Sequence, residues 1–154
     1  MAKATTIDTT TSAGAAGWTD EERAAMKEHA AEIKRAGGKG ADKAAEEAQV
    51  CLDKIAEMPD EDRVLAERVH AIVTSTAPDL TVRTYYGMPA YAKDGKVLCW
   101  FKAAAKFKSR YATLGFSDVA ALDDGNLWPT EYAVADLTQA DEQRIAELVR
   151  VAVG

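Results

Sequence analysis

The hydrophobic residues of this chain change from helical to alternating spacing at one sharp boundary, and that change decides what the chain can build. Up to Thr76 apolar side chains recur at helical spacing. From Leu80 they recur at every second position, and Ala77-Pro78-Asp79 separates the two regimes. A helix turns every 3.6 residues and a strand alternates every 2, so one segment cannot satisfy both. Helices must therefore precede strands.

The helical half divides at glycine and proline. Thr19 with Glu22 three residues on forms a capping box, which predicts a helix over about 20–36. Its apolar stripe is only Met26, Ala30 and Ile33, so a peripheral position is expected. Gly37-Gly38-Lys39-Gly40 ends it and reads as a flexible joint. A second helix is predicted over 42–57, with Ala44, Ala48, Cys51, Leu52 and Ile55 on its core face. A third, capped by Asp60, reaches about Thr76 and buries Leu65, Val69, Ile72 and Val73. Strands follow at about 81–87, 90–93, 96–102, 107–115 and 131–135. Lys93-Asp94-Gly95-Lys96 is a strong hairpin signal, because Asp-Gly accepts the positive φ of a type I′ turn. Ser117 to Trp128 is expected to hold a short helix. Thr138 and Asp141 cap a last helix facing the core with Ile145, Leu148, Val149 and Ala152. The class is α+β: an antiparallel sheet of about five strands packed by the preceding helices and a C-terminal helix. Residues 1–17, rich in Thr, Ala and Gly, read as a disordered tail, 18–40 as a peripheral helix and joint, and 41–154 as the folded domain.

A net charge of −6 argues against general nucleic-acid binding. No apolar run approaches the roughly 20 residues of a membrane span, and the amino terminus lacks the apolar core of a secretory signal. A cytoplasmic protein is expected. Cys51 and Cys99 sit in apolar surroundings and read as buried hydrophobes rather than a disulfide or redox pair. Glu67-Arg68-Val69-His70 matches the Glu-x-x-His spacing of di-iron helices, but Glu67 falls on the solvent side and the pair reads as surface. His29 reads as solvated. The acidic groups Asp20/Glu21/Glu22, Glu46/Glu47 and Asp60/Glu61/Asp62 read as helix amino-terminal features that could still hold a hard cation diffusely. No nucleophile elbow or phosphate-binding loop is present, so an enzyme is not expected.

The chemistry gathers at Tyr85-Tyr86-Gly87-Met88-Pro89-Ala90-Tyr91 and just beyond it. From Lys96 to Tyr111 the chain carries five cations (Lys96, Lys102, Lys106, Lys108 and Arg110) and no carboxylate. On a strand, Lys106, Lys108 and Arg110 would share one face. With Arg83, Tyr86, Met88 and Tyr91 they form a candidate surface for a carboxylate, a phosphate or a protein partner. The other reading is that the lysines solvate a sheet face and the aromatic residues belong to the core.

Around Tyr86-Gly87-Met88-Pro89-Ala90-Tyr91, Asp94-Gly95-Lys96 and Lys106 to Tyr111, from about Glu46 to Val153, the chain resembles the YdhG-like family of small bacterial proteins. The helix from Trp18 to Gly37 resembles an element added in a subgroup. The resemblance implies a frataxin-like α+β fold and, for some members, an intracellular iron-chaperone role, with iron as the possible cofactor. Many members carry a histidine where this chain has Lys106-Phe107-Lys108-Ser109-Arg110, and cations there would repel a metal.

Overall fold

A computed structural model describes residues 17–35 and 40–154. The predicted tail, Gly17 apart, and the joint, Gly40 apart, lie outside the described residues. Within them the order is α1 (Asp20–Arg35), α2 (Ala41–Ala56), α3 (Asp60–Thr76), β1 (Thr81–Tyr85), β2 (Met88–Lys93), β3 (Lys96–Lys102), a 3-10 turn (Ala105–Phe107), β4 (Ala112–Phe116), β5 (Glu131–Val134) and α4 (Gln139–Val153). The α+β class holds. The strands make an open antiparallel meander in chain order, β1 to β5.

Register assigns each strand residue to a face. Arg83, Ala90, Trp100, Gly115 and Glu131 lie side by side across the five strands on one face. Their neighbours Val82, Tyr91, Cys99, Phe116 and Val134 belong to the other face, which carries the core with Val69, Val73, Ile145 and Val149 of α3 and α4. A bulge leaves Leu98 as an extra β3 residue between Val97 and Cys99, whose β2 partners Ala92 and Tyr91 are adjacent, so that Leu98 and Cys99 are both fully buried. α2 closes the core over β1 and β2 through Cys51 and Ile55.

The capping box of α4 is formed: Thr138 Oγ1 accepts from the Asp141 N–H while the Asp141 carboxylate accepts from the Thr138 N–H. The same reciprocal pair closes α1 between Thr19 and Glu22. α3 departs from expectation, since its N-cap is Pro59 and Asp60 makes no capping bond. Ser117–Trp128 is turn and bend rather than helix. Its flanks are tied to strands, Phe116 N–H to Thr130 O and Ser117 N–H to Leu98 O, so the sheet claims the backbone groups on which a helix would nucleate.

The largest correction concerns the basic segment. The expected strand over 107–115 begins only at Ala112. Asp62, buried at the start of α3, accepts from the amides of Ala104 (3.1 Å) and Ala105 (3.0 Å) and winds the chain into a 3-10 turn. Lys108 follows in the left-handed region at φ 52, which breaks any alternation. Lys106, Lys108 and Arg110 do not share a strand face.

Candidate functional site

Two successive residues with positive φ, Tyr86 (51°) and Gly87 (75°), join β1 to β2. Tyr85 pairs with Met88, so this is a two-residue hairpin turn of the same kind as Asp94-Gly95, and Met88-Pro89 already belongs to β2. Tyrosine is an unusual choice at positive φ, where strain of about 1–3 kcal/mol is expected unless its surroundings compensate. The compensation comes from α1. Glu32, 1% exposed, is the most deeply buried charged residue described. Its carboxylate accepts from the amide N–H of Tyr86 (2.9 Å) and of Gly87 (2.8 Å). Left-handed turns of this sort turn consecutive amides to one side and form an anion-binding concavity. His29, one turn earlier on α1, places Nδ1 3.2 Å from the same carboxylate and stacks on the Tyr86 ring at 4.0 Å and 11°.

A second seat adjoins the first. Glu28 accepts from Lys106 Nζ (2.7 Å) at the 3-10 turn and from Lys54 Nζ (3.0 Å) on α2. Burial alone would raise the Glu28 pKa, yet these two hydrogen bonds and charges outweigh it and hold the carboxyl below its ordinary value. The Lys54 ammonium is likewise held above its usual range, since its Glu28 partner outweighs its own burial. The two seats touch: a Cβ added to Gly87 would fall on the Glu28 carboxylate, so this position requires glycine for its φ and for the helix it carries. Farther up α1, Glu21 meets Lys108 at 2.7 Å.

The α1 face turned to the fold is therefore Glu21, Ala25, Glu28 and Glu32, at i, i+4, i+7 and i+11, with Ala25 and Glu32 buried and Glu21 and Glu28 half-buried. Of the apolar stripe, Ile33 is 62% exposed and only Met26, 38% exposed, borders the fold. The helix docks chiefly through its acids, and His29 is not simply solvated. Beneath the amino-terminal half lies an open hollow of about 300 Å³, lined by Trp18, Ala25, Met26, Tyr85, Trp100 and Phe107 among others.

The predicted site residues divide accordingly. Tyr86 and Lys106 contact adjacent acids under α1, Lys108, largely exposed, pairs with Glu21 near its amino terminus, and Met88 lines the hollow. Arg83 turns its Nε to the Thr84 carbonyl, and Arg110 stacks over Tyr111. Tyr91 is a core residue, fully buried, with its hydroxyl 2.9 Å from His70 Nδ1. Sequence reasoning missed Glu28, Glu32 and Lys54. The legible signal was the acidic stripe of α1 set against the acid-free stretch 96–111, and it lacks an address because the partners lie 26–78 positions away.

The acids that an iron site would draw on are engaged elsewhere. Asp20 pairs with Arg23, Asp60 with Arg63, and Asp62 holds the 3-10 turn. Among the described residues no three of His, Cys, Asp and Glu are grouped so as to hold a metal ion. Both thiols are free and buried, and burial pushes each up to about 12. No described helix is long and apolar enough to cross a membrane. No family model, curated protein or solved structure matches this chain.

Proposed function

We propose that this protein is a non-enzymatic binding module whose Tyr86-Gly87 turn, with Lys54 and Lys106 beside it, receives paired carboxylates. The single observation that supports it is the seating of Glu32 and Glu28: one carboxylate on two converging amides, the next on two ammonium groups. Charge-assisted hydrogen bonds of this kind are roughly twice as strong as neutral ones. A frataxin-like iron carrier, the role the YdhG-like resemblance suggests, would need the helical acids free to converge on an ion, and most of them are paired.

The test empties both seats in the full chain. Glu28→Ala/Glu32→Ala removes the carboxylates and leaves their space, whether or not α1 stays in place. Glutarate, a small dicarboxylate, should then raise the thermal midpoint by roughly 3–6 °C at about ten times its Kd. It should do less in a variant that also carries Lys106→Ala. Equal shifts with glutarate and with chloride at matched ionic strength would overturn the reading.

A further inference from the structure

We propose that α1 is a built-in competitor: the surface beneath it takes an acidic helix from another protein, and α1 keeps that surface closed until it is displaced. The inference rests on the carboxylate-receiving reading of the turn and adds the shape of the ligand and the control of access to it.

Three observations carry it. The first is that α1 docks with the wrong face for a core helix. A helix that exists to cover a sheet buries its apolar stripe; this one buries Glu32 and Ala25, half-buries Glu21 and Glu28 in ion pairs, and leaves Ile33 outside. Attachment through ion pairs and hydrogen bonds is weaker and more exchangeable than attachment through apolar area.

The second is that the receiving groups belong to the rest of the fold. The Tyr86 and Gly87 amides are aimed by the pairing of β1 with β2, Lys54 stands on α2, and Lys106 stands on the turn pinned by Asp62. With α1 removed, two amides, two ammonium groups and the aromatic pair Tyr85 and Trp100 would remain on one surface. Such a surface matches carboxylates four residues apart on a helix.

The third is that α1 fits this surface incompletely. Ala25 is buried at the edge of the hollow of about 300 Å³, which stays open beside Met88, Trp100 and Phe107 although Trp18 and Met26 also line it. A helix with acids at the positions of Glu28 and Glu32 and a large apolar residue in place of Ala25 would fill both the seats and the hollow. The expected partner pattern is a large apolar residue, an acid three positions later and a second acid four after that. Such a helix would outcompete α1 through the added apolar contact.

The experiment titrates a fluorescein-labelled peptide of residues 17–35 into the full chain and follows anisotropy. The wild-type chain, its surface already occupied, should bind weakly. The Glu28→Ala/Glu32→Ala chain should bind at least about tenfold more tightly, since apparent affinity scales with the open fraction. A peptide with Ala25→Leu should bind several-fold tighter again, and one with Gln at positions 28 and 32 should lose binding. If the double variant folds poorly, Glu21→Lys loosens α1 through its Lys108 pair alone and leaves the receiving surface untouched. Equal affinity of the peptide for the wild-type and loosened chains would overturn the proposal, as would no gain from Ala25→Leu. A wild-type chain found by native mass spectrometry to be a dimer through exchanged α1 helices would also overturn it, by putting a second copy on the surface. If glutarate stabilises the double variant but the peptide binds neither chain, the carboxylate seats stand and the helix proposal falls. If neither ligand binds, both fall.

Discussion

Gly87 and Gly115 are both places where a side chain cannot be added, and what stands in the way differs. At Gly87 the obstacle is the Glu28 carboxylate, and φ is +75°. Gly87→Ala should cost about 1–2 kcal/mol in backbone strain and expel Glu28 from its seat. At Gly115 the obstacle is the Trp100 indole in the middle of the sheet. Gly115→Ala should cost about 1–3 kcal/mol through overpacking, because the indole must shift toward the hollow it lines. Hydrogen exchange separates the two outcomes. The first variant should lose protection in α1 while the sheet stays protected, and the second should lose thermal stability throughout with α1 still attached. The residue-level chemistry was partly legible. A glycine between aromatic strands announces a turn, but nothing local says that a carboxylate from position 32 fills it.

The elements were legible in proportion to how locally they are determined. Capping boxes, the Asp94-Gly95 hairpin and the periods of α3 and α4 rest on residues within one or two turns, and they stand as read; in α2 Cys51 and Ile55 face the core, while Leu52 and Ala44, expected there, are exposed. The basic segment was read as a strand in which Lys106, Lys108 and Arg110 alternate with Phe107, Ser109 and Tyr111. Asp62, more than forty positions earlier, captures the backbone there instead. α1 shows the same limit from the other side, since periodicity identifies an apolar stripe without saying that it faces the core. Its polar attachment gives α1 a distinct expected behaviour. Exposed and half-exposed ion pairs weaken as the Debye length falls from about 10 Å at 0.1 M salt to about 3 Å at 1 M. Exchange protection of α1 should drop between those conditions while that of β2, β3 and α3, held by apolar burial, changes little. Equal protection of α1 at both salt concentrations would contradict a charge-held helix.

For the molecule as a whole, the helix-covered core and the α1 seat respond to acid in separate windows. His70 sits half-buried against Tyr91, and burial lowers its pKa below the ordinary value of about 6.5. A lowered histidine pKa stabilises the fold fully above that ordinary value, and the contribution is lost as pH falls from it through the folded value. Glu28, held below the ordinary carboxyl value of about 4.3, contributes above that value and loses its contribution as pH falls through it. Urea unfolding should therefore show stability decreasing from pH 7 toward pH 5, with that slope reduced in a His70→Gln variant. Release of α1 should follow only at lower pH. A slope unchanged by the substitution would remove His70 as its source.

The account turns on the Tyr86 and Gly87 amides serving as a carboxylate seat. The most direct measurement is the pair of amide proton shifts in the full-length protein by NMR, in wild type and in Glu32→Ala, with and without glutarate. Both protons should lie downfield in wild type, move upfield when Glu32 is truncated, and return toward the wild-type positions as glutarate is added. Two amides with the same shifts in wild type and variant, unmoved by the dicarboxylate, would contradict it.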